Sequence, residues 1–190
     1  MTYKILLKDS GAAFVELTLV LLFLLALALG GLEVARLVRL ATVAAGMNRE
    51  LTAGAFRDCW FAATTDVQGG DRGAQIEIVR ECLANVITGS NSSIQQVIPG
   101  AKLTLTVYKY DTTLNPDAPT VYGQSSTEVA PPTRVSANDF DENHADARAL
   151  LISQGVLFYG ETFLPYASQA PIIPKLLGLT SGELYNVSAF

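Results

Sequence analysis

The hydrophobic pattern of the chain begins with one long apolar run. Residues 12–32 are almost all apolar, and only Glu16, Thr18 and two glycines near the end interrupt them. At about 1.5 Å of rise per residue, these 21 residues would form a helix about 30 Å long, which matches the hydrocarbon core of a bilayer. The run therefore predicts a membrane-spanning helix.

The helical pattern continues beyond the apolar run. Apolar and small residues recur there at steps of three and four, whereas the arginines mostly take other faces. The positions that follow this spacing are Val34, Leu37, Val38, Ala41, Ala44, Ala45, Asn48, Leu51 and Ala55. We therefore predict one helix over residues 12–57, of which residues 12–33 lie in the membrane.

The remaining residues, 58–190, carry the patterns of one further domain with two shorter helices. Apolar positions on one face predict a helix over 74–87 that ends before Gly89. Acidic residues followed by apolar ones predict another helix over 138–153, which a glycine, Gly155, terminates.

Strand signals in the same domain are shorter. Strict alternation predicts a half-buried strand over residues 103–110. Weaker signals predict strands over 120–129, 156–162 and 182–190, and an apolar, proline-bearing loop over 163–178. The predicted fold class is α+β: a long N-terminal helix packed by a small, mainly antiparallel sheet with two shorter helices.

Chain length limits the number of domains, and net charge limits the kind of partner. The 190 residues leave room for one domain beyond the membrane helix. The net charge is −5 at pH 7, and this sign argues against nucleic acid as a partner because phosphate backbones bind basic surfaces.

Glu16 is the one acidic side chain within the apolar run. A carboxylate that faces lipid costs on the order of 2.5 kcal/mol or more, so an acid at this depth needs a partner. If a peptidase cut after Gly11, the new amine on Ala12 would lie about one helical turn from Glu16, where the two charges could pair within a chain or between packed chains. Such a pair would give the carboxylate of Glu16 the partner that it needs.

The residues around this position resemble those of a known family. A short basic leader that ends in Gly11, a small residue after the cut, Glu as the fifth mature residue and an unbroken apolar helix are similar to the prepilin signature of type IV filament proteins. The order Gly-Ala-Ala-x-Val-Glu, then the apolar run and Gly-x-x-Glu33-x-x-Arg36, most resembles TadE-like minor pseudopilins of the tight-adherence (Tad/Flp) pilus system. The resemblance is specific over residues 8–57 and looser over 155–190.

The resemblance implies a structural protein that assembles or initiates a type IV pilus used in adhesion and surface attachment. It implies a cytoplasmic leader, residues 1–11, that is cut off between Gly11 and Ala12, and a role for Glu16 in the register of helices during assembly. It also implies a single membrane pass with the domain outside the cytoplasm, from where the protein could enter the pilus. The implied partners are other pilins of the same pilus, the prepilin peptidase, the inner-membrane assembly platform and membrane lipid. Ala12 stands where major type IV pilins usually have Phe, which points away from a major subunit.

An ordinary secretory signal is the main alternative. Residues 17–25 could serve as its apolar region, and Ala26-Leu27-Ala28 resembles a cleavage site for it. Lysines before the run and arginines after it leave the positive-inside rule undecided on orientation. Under this alternative the chain is a signal-anchored or secreted binding domain whose ligand the sequence does not name.

The two cysteines, Cys59 and Cys82, could form one disulfide outside the cytoplasm. Free buried thiols are the other interpretation, because the sequence does not show whether the two Cα atoms come close.

Catalytic and metal-binding patterns are weak. The acids Asp139, Asp141 and Asp146 alternate as calcium ligands can, but His144 occupies the position where an EF-hand loop needs glycine. Acids in the first turn of a helix explain the same residues. His144 is the only histidine, and no nucleophile motif accompanies it. We therefore predict no enzyme activity, no cofactor and no metal site.

Overall fold

The computed structural model describes residues 3–65, 72–109, 120–127, 144–166 and 182–190, with residues 3–10 and 120 described by their backbone alone. The described elements are, in chain order, α1 (Tyr3–Thr64), α2 (Arg72–Val97), β1 (Lys102–Lys109), β2 (Thr120–Ser126), α3 (Ala145–Gln154), β3 (Val156–Tyr166) and β4 (Gly182–Ala189). The predicted α+β class with a long N-terminal helix is confirmed.

The chain divides into two compact units. The first contains α1 up to Leu40, and the second contains Ala41–Tyr166 together with Glu183–Phe190. The sheet, α2 and α3 belong to the second unit, so the core described below is the core of that unit.

Within the second unit, α1 buries a single face. The buried positions follow steps of three and four residues and comprise Ala44, Asn48, Leu51, Thr52, Ala55, Cys59 and Ala63. This spacing is that of an amphipathic helix against a core. Because Cys59 and Ala63 extend the same face, α1 ends at Thr64, seven residues beyond the predicted end at 57.

Helix α2 is longer than the pattern predicted. The expected end before Gly89 is wrong, because α2 continues through Gly-Ser-Asn-Ser-Ser to Val97. Its buried side chains are Gln75, Val79, Leu83, Ile87 and Ile94. Burial of Ile94 on the face that already holds Ile87 stabilises the helical conformation against the weak helix propensity of glycine, serine and asparagine.

The sheet has the strand order β2-β1-β3-β4. Strand β1 pairs antiparallel with β2 and with β3, and Phe158 and Phe190 exchange both backbone hydrogen bonds (2.8 and 2.9 Å) in the antiparallel manner. Strand β3 runs to Tyr166, four residues beyond the predicted end, so the expected loop at 163 starts later than predicted. Most of that loop lies outside the described residues.

Strand β1 is buried on both faces, which corrects the prediction of a half-buried strand. One face carries Leu103, Leu105 and Val107, and the other carries Thr104, Thr106 and Tyr108. Alternation in β1 thus separates apolar from hydroxyl-bearing side chains rather than core from solvent.

Helix α3 covers part of the second sheet face. Its Ala147 and Leu151 form a cluster with Tyr108, Leu157 and Tyr159. Gly155 ends the helix as predicted: it adopts a left-handed conformation (φ 77°), and its N–H donates to the Leu151 carbonyl at 2.7 Å. The first part of the predicted helix, residues 138–143, lies outside the described residues.

Candidate functional site

The first unit presents an apolar surface on all sides of α1. The large apolar side chains from Phe14 to Leu32 are between 44% (Leu29) and 70% (Phe14) exposed. They include seven consecutive positions, residues 19–25, so no side of the helix is polar. This part of α1 is long and apolar enough to cross a membrane.

The predicted processing and register residues lie together near the beginning of this surface. Gly11, Ala12 and Glu16 all belong to α1 and are exposed. Glu16 lies four residues after Ala12, on the same side of the helix and about 6 Å along its axis. The hydroxyl of Thr18, the other polar side chain of this surface, donates to the Phe14 carbonyl at 2.8 Å and so satisfies itself within the helix.

In the second unit, a polar cluster joins α1 to strands β3 and β4. The Asn48 amide donates to the Gly160 carbonyl (3.0 Å) and to the Asn186 carbonyl (3.3 Å). The Thr52 hydroxyl donates to the Asn48 carbonyl (2.7 Å) and contacts the Ser188 hydroxyl at 2.5 Å. Ser188 also donates to the Asn48 carbonyl at 3.1 Å. We call these five residues the helix–sheet cluster.

Gly160 allows this close approach. A Cβ atom at position 160 would lie 1.9 Å from Thr52 Oγ1 and 2.9 Å from Asn48 Oδ1. Any larger side chain would therefore have to push α1 away from β3. Sequence analysis placed Asn48 on the packing stripe but did not identify the cluster; the available signal was two polar residues, Asn48 and Thr52, one turn apart on an otherwise apolar and small-residue face.

A disulfide joins the two helices of the second unit. Cys59 of α1 and Cys82 of α2 are bonded, with their Cα atoms 5.9 Å apart. Cys59 is fully buried. Disulfides form and persist mainly in oxidising compartments, so this bond bears on which side of a membrane the second unit occupies.

A carboxylate is buried on the other sheet face. Glu161 is fully buried, and the Tyr185 hydroxyl donates to its Oε1 at 2.7 Å. Burial raises the pKa of Tyr159 to about 12 and raises the pKa of Tyr185 well above its usual value of 10.0, with the hydrogen bond to Glu161 acting in the same direction. Both phenols stay protonated near neutral pH, and Tyr185 is a donor to Glu161. A general acid–base catalyst, in contrast, needs a pKa close to the working pH.

A groove of about 640 Å³ runs between α1 and α2. Apolar and small side chains line it, including Met47, Leu51, Gly54, Val86 and Ile94. Its rim carries Arg57 and Asp58, which pair with each other at 3.1 Å while both remain exposed. An exposed pair of this kind contributes little stability.

Metal ligation finds no support in the described part of the chain. There, no group of three or more His, Cys, Asp or Glu side chains is placed to hold a metal ion. Of the alternating acids considered above, Asp146 lies in the first turn of α3, and Asp139 and Asp141 lie outside the described residues. His144 precedes α3 and contacts the Tyr159 ring edge to face, with 6.1 Å between ring centroids.

Comparisons of the chain with known protein families, with curated proteins and with solved structures give no significant match.

Proposed function

We propose that the chain is a minor pilin or pseudopilin that takes part in the assembly or initiation of a Tad/Flp-like type IV pilus. The observation that carries this proposal is the apolar surface from Phe14 to Leu32, exposed on all sides, with Gly11 and Ala12 just before it and Glu16 near its beginning. An all-round apolar helix outside a protein core requires lipid or other apolar helices around it. A membrane before assembly and a helical bundle after assembly would both meet this requirement.

The proposed role of Glu16 follows from its surroundings. In lipid the carboxylate of Glu16 would need a partner, and cleavage after Gly11 would create an amine one turn away on Ala12. The pair would form within one chain in the membrane, or between neighbouring chains once helices pack. Glu16 would thus stabilise one axial register between neighbouring helices over other registers.

The disulfide supports the proposed orientation. The bond between Cys59 and Cys82 favours an oxidising compartment for the second unit, which agrees with a cytoplasmic leader and an extracytoplasmic domain. The helix–sheet cluster would then hold the domain to the outer part of α1, as a domain carried on a fibre-forming helix requires.

The mature N-terminus of the native protein tests the proposal, measured by intact mass and terminal sequencing. We expect Ala12 as the first residue, and a Gly11→Val variant that stays uncut. A mature start at Leu29 would mean an ordinary secretory signal, and an uncut Met1 would mean a plain signal anchor; either result would contradict prepilin processing.

A Glu16→Leu variant separates insertion from assembly. We expect it to remain in the membrane fraction, because the substitution removes the costly charge, while pilus output falls strongly. Glu16→Asp is the matched control, since it keeps the carboxylate. Unchanged pilus output in Glu16→Leu would refute the register role.

A further inference from the structure

Two arginines directly follow the apolar surface of the first unit. Arg36 and Arg39 of α1 are both exposed and lie three positions apart, so they project from neighbouring positions on the helix. Among the residues that the structure describes, neither guanidinium takes part in an ion pair or a hydrogen bond. Two cations are thus presented to the surroundings at the end of a lipid-compatible helix.

The positions of the two arginines along α1 put both guanidinium groups within reach of the headgroup layer of a bilayer. Leu32, which is 69% exposed, ends the continuous part of that surface, and the exposed side chains of Val34 and Val38 follow it. Arg36 lies about 6 Å and Arg39 about 10 Å farther along the helix axis. Headgroups extend roughly 5 to 7 Å beyond the hydrocarbon core on each side, and an arginine side chain can bend to bring its charge into that layer.

Arginine is chemically suited to the groups it would meet there. A guanidinium binds a phosphate through two parallel hydrogen bonds. An anionic lipid surface also attracts each nearby basic residue, by about fivefold in binding for each one. An extracytoplasmic position for arginines runs against the positive-inside rule, and phosphate binding would offset that cost.

We propose that Arg36 and Arg39 bind the phosphate groups of anionic phospholipids in the extracytoplasmic leaflet of the membrane that α1 spans, and so fix the depth of α1 in the bilayer. This inference rests on the membrane anchoring in the proposed function. It names the lipid class that the anchor recognises and the residues that recognise it.

The test uses the full chain in nanodiscs that contain phosphatidylglycerol and phosphatidylcholine in equal amounts. Native mass spectrometry measures the ratio of the two lipids that stay bound to the protein. We expect the wild type to retain phosphatidylglycerol preferentially. The double variant R36Q/R39Q should lower the ratio of the two lipids by fivefold to about 25-fold, from fivefold per arginine.

The matched control is R49Q/R57Q, which removes two positive charges from exposed positions farther along α1. Arg49 lies ten residues beyond Arg39, which is about 15 Å of helix rise and outside the headgroup layer. The lipid ratio of this control should equal that of the wild type. An equal fall in both double variants would show a general charge effect and overturn the inference.

An unchanged lipid ratio in R36Q/R39Q would also overturn the inference. If the same variant lost crosslinking between copies, the arginines would be assigned to acids of a neighbouring chain.

Alkaline extraction of the reconstituted protein separates this inference from the anchor itself. A wild-type chain that washes out of the membrane would refute the anchor and the lipid site together. A chain that resists extraction but shows no lipid preference would refute the lipid site alone.

Discussion

The two parts of α1 form the same backbone structure under different requirements. From Phe14 to Leu32 large apolar side chains project on every side, and all are exposed. From Ala44 to Ala63 one face of small and apolar residues is buried in the protein's own core, and the other faces carry exposed polar side chains beside apolar ones such as Phe61. Helix length and periodicity therefore predict that a helix forms, whereas side-chain size and polarity predict whether lipid or a protein core surrounds it.

Side-chain size also decides how closely a neighbour can approach. The first part is rich in Leu and Phe, which suit fluid lipid chains. The second part places Ala, Asn and Thr on its buried face, and β3 meets them with Gly160. Small residues on both sides let the helix backbone and the strand backbone come close enough for the Asn48 amide to reach the Gly160 carbonyl.

The largest expected effect comes from making the first part polar. Replacing Leu21 and Leu24 by arginine should disfavour membrane insertion by about 6 kcal/mol, from about 3 kcal/mol for each leucine-to-arginine change near the bilayer centre. The measurement is the inserted fraction after cell-free translation with membrane vesicles. The control replaces Val34 and Val38 by arginine, beyond the expected hydrocarbon core, and should insert normally. Equal insertion of both variants would contradict a membrane role for residues 14–32.

The next effect concerns the covalent link in the second unit. We expect C59S/C82S to lower the free energy of unfolding by about 3 kcal/mol, because the disulfide closes a loop between residues 23 apart in sequence. Urea unfolding followed by fluorescence of Trp60, the single tryptophan, measures the change. Reducing agent should destabilise the wild type similarly and leave the variant unaffected. If the wild type and the variant have the same urea midpoint of unfolding, the disulfide contributes nothing to the stability of the second unit.

A smaller effect tests the close approach at the helix–sheet cluster. Gly160→Ala should destabilise the second unit by about 2 kcal/mol, the usual cost of overpacking a core, since its Cβ would lie 1.9 Å from Thr52 Oγ1. Adding Thr52→Ala should recover part of the loss by vacating that space. Gly89→Ala is the control, because a Cβ there meets nothing within 4 Å, and alanine favours a helix over glycine. Thermal unfolding measures the stability of both variants. Equal unfolding temperatures for Gly160→Ala and Gly89→Ala would contradict the close packing of α1 against β3.

The smallest expected effect is a loss of stability of the second unit at alkaline pH. The raised pKa of Tyr159, about 12 against an ordinary 10.0, means that the unfolded chain loses its proton first as pH rises. The associated stability is fully present below pH 10 and is lost between about pH 10 and 12, with about 1.4 kcal/mol lost at pH 11. Urea unfolding from pH 8 to 11 measures this loss. Tyr159→Phe should give a shallower decline, and a parallel decline would refute the assignment.

The sequence predicted much of the fold because its strongest signals are local. Hydrophobic periodicity located α1, β1 and the start of α2. The glycine after the last apolar position located the end of α3. The errors arose where tertiary burial overrode local preference, as at Gly89, which sits inside α2 because Ile94 lies on the buried face beyond it. Burial of Thr104 and Thr106 on β1 could not be foreseen either, since threonine alternation is typical of a solvent-facing side.

Polar contacts between distant residues could not be predicted from the sequence for a similar reason. Nothing in the residues around Asn48 indicates that its amide meets Gly160, 112 positions later. Likewise, the cysteine pair was an alternative rather than a prediction, because pairing depends on how α1 and α2 pack. Motif-based residues, Gly11, Ala12 and Glu16, were located without any tertiary information, and their roles stay predictions.

The disulfide also implies an order of folding. Cys59 and Cys82 are 23 positions apart, whereas Ser188 meets the Asn48 carbonyl across 140 positions. Closing a short loop costs less entropy than closing a long one and happens sooner. As the chain emerges in sequence, α1 and α2 can become a covalently closed hairpin before β1 has appeared. The strands would then assemble on a preformed helical template, and β4 would complete the domain last.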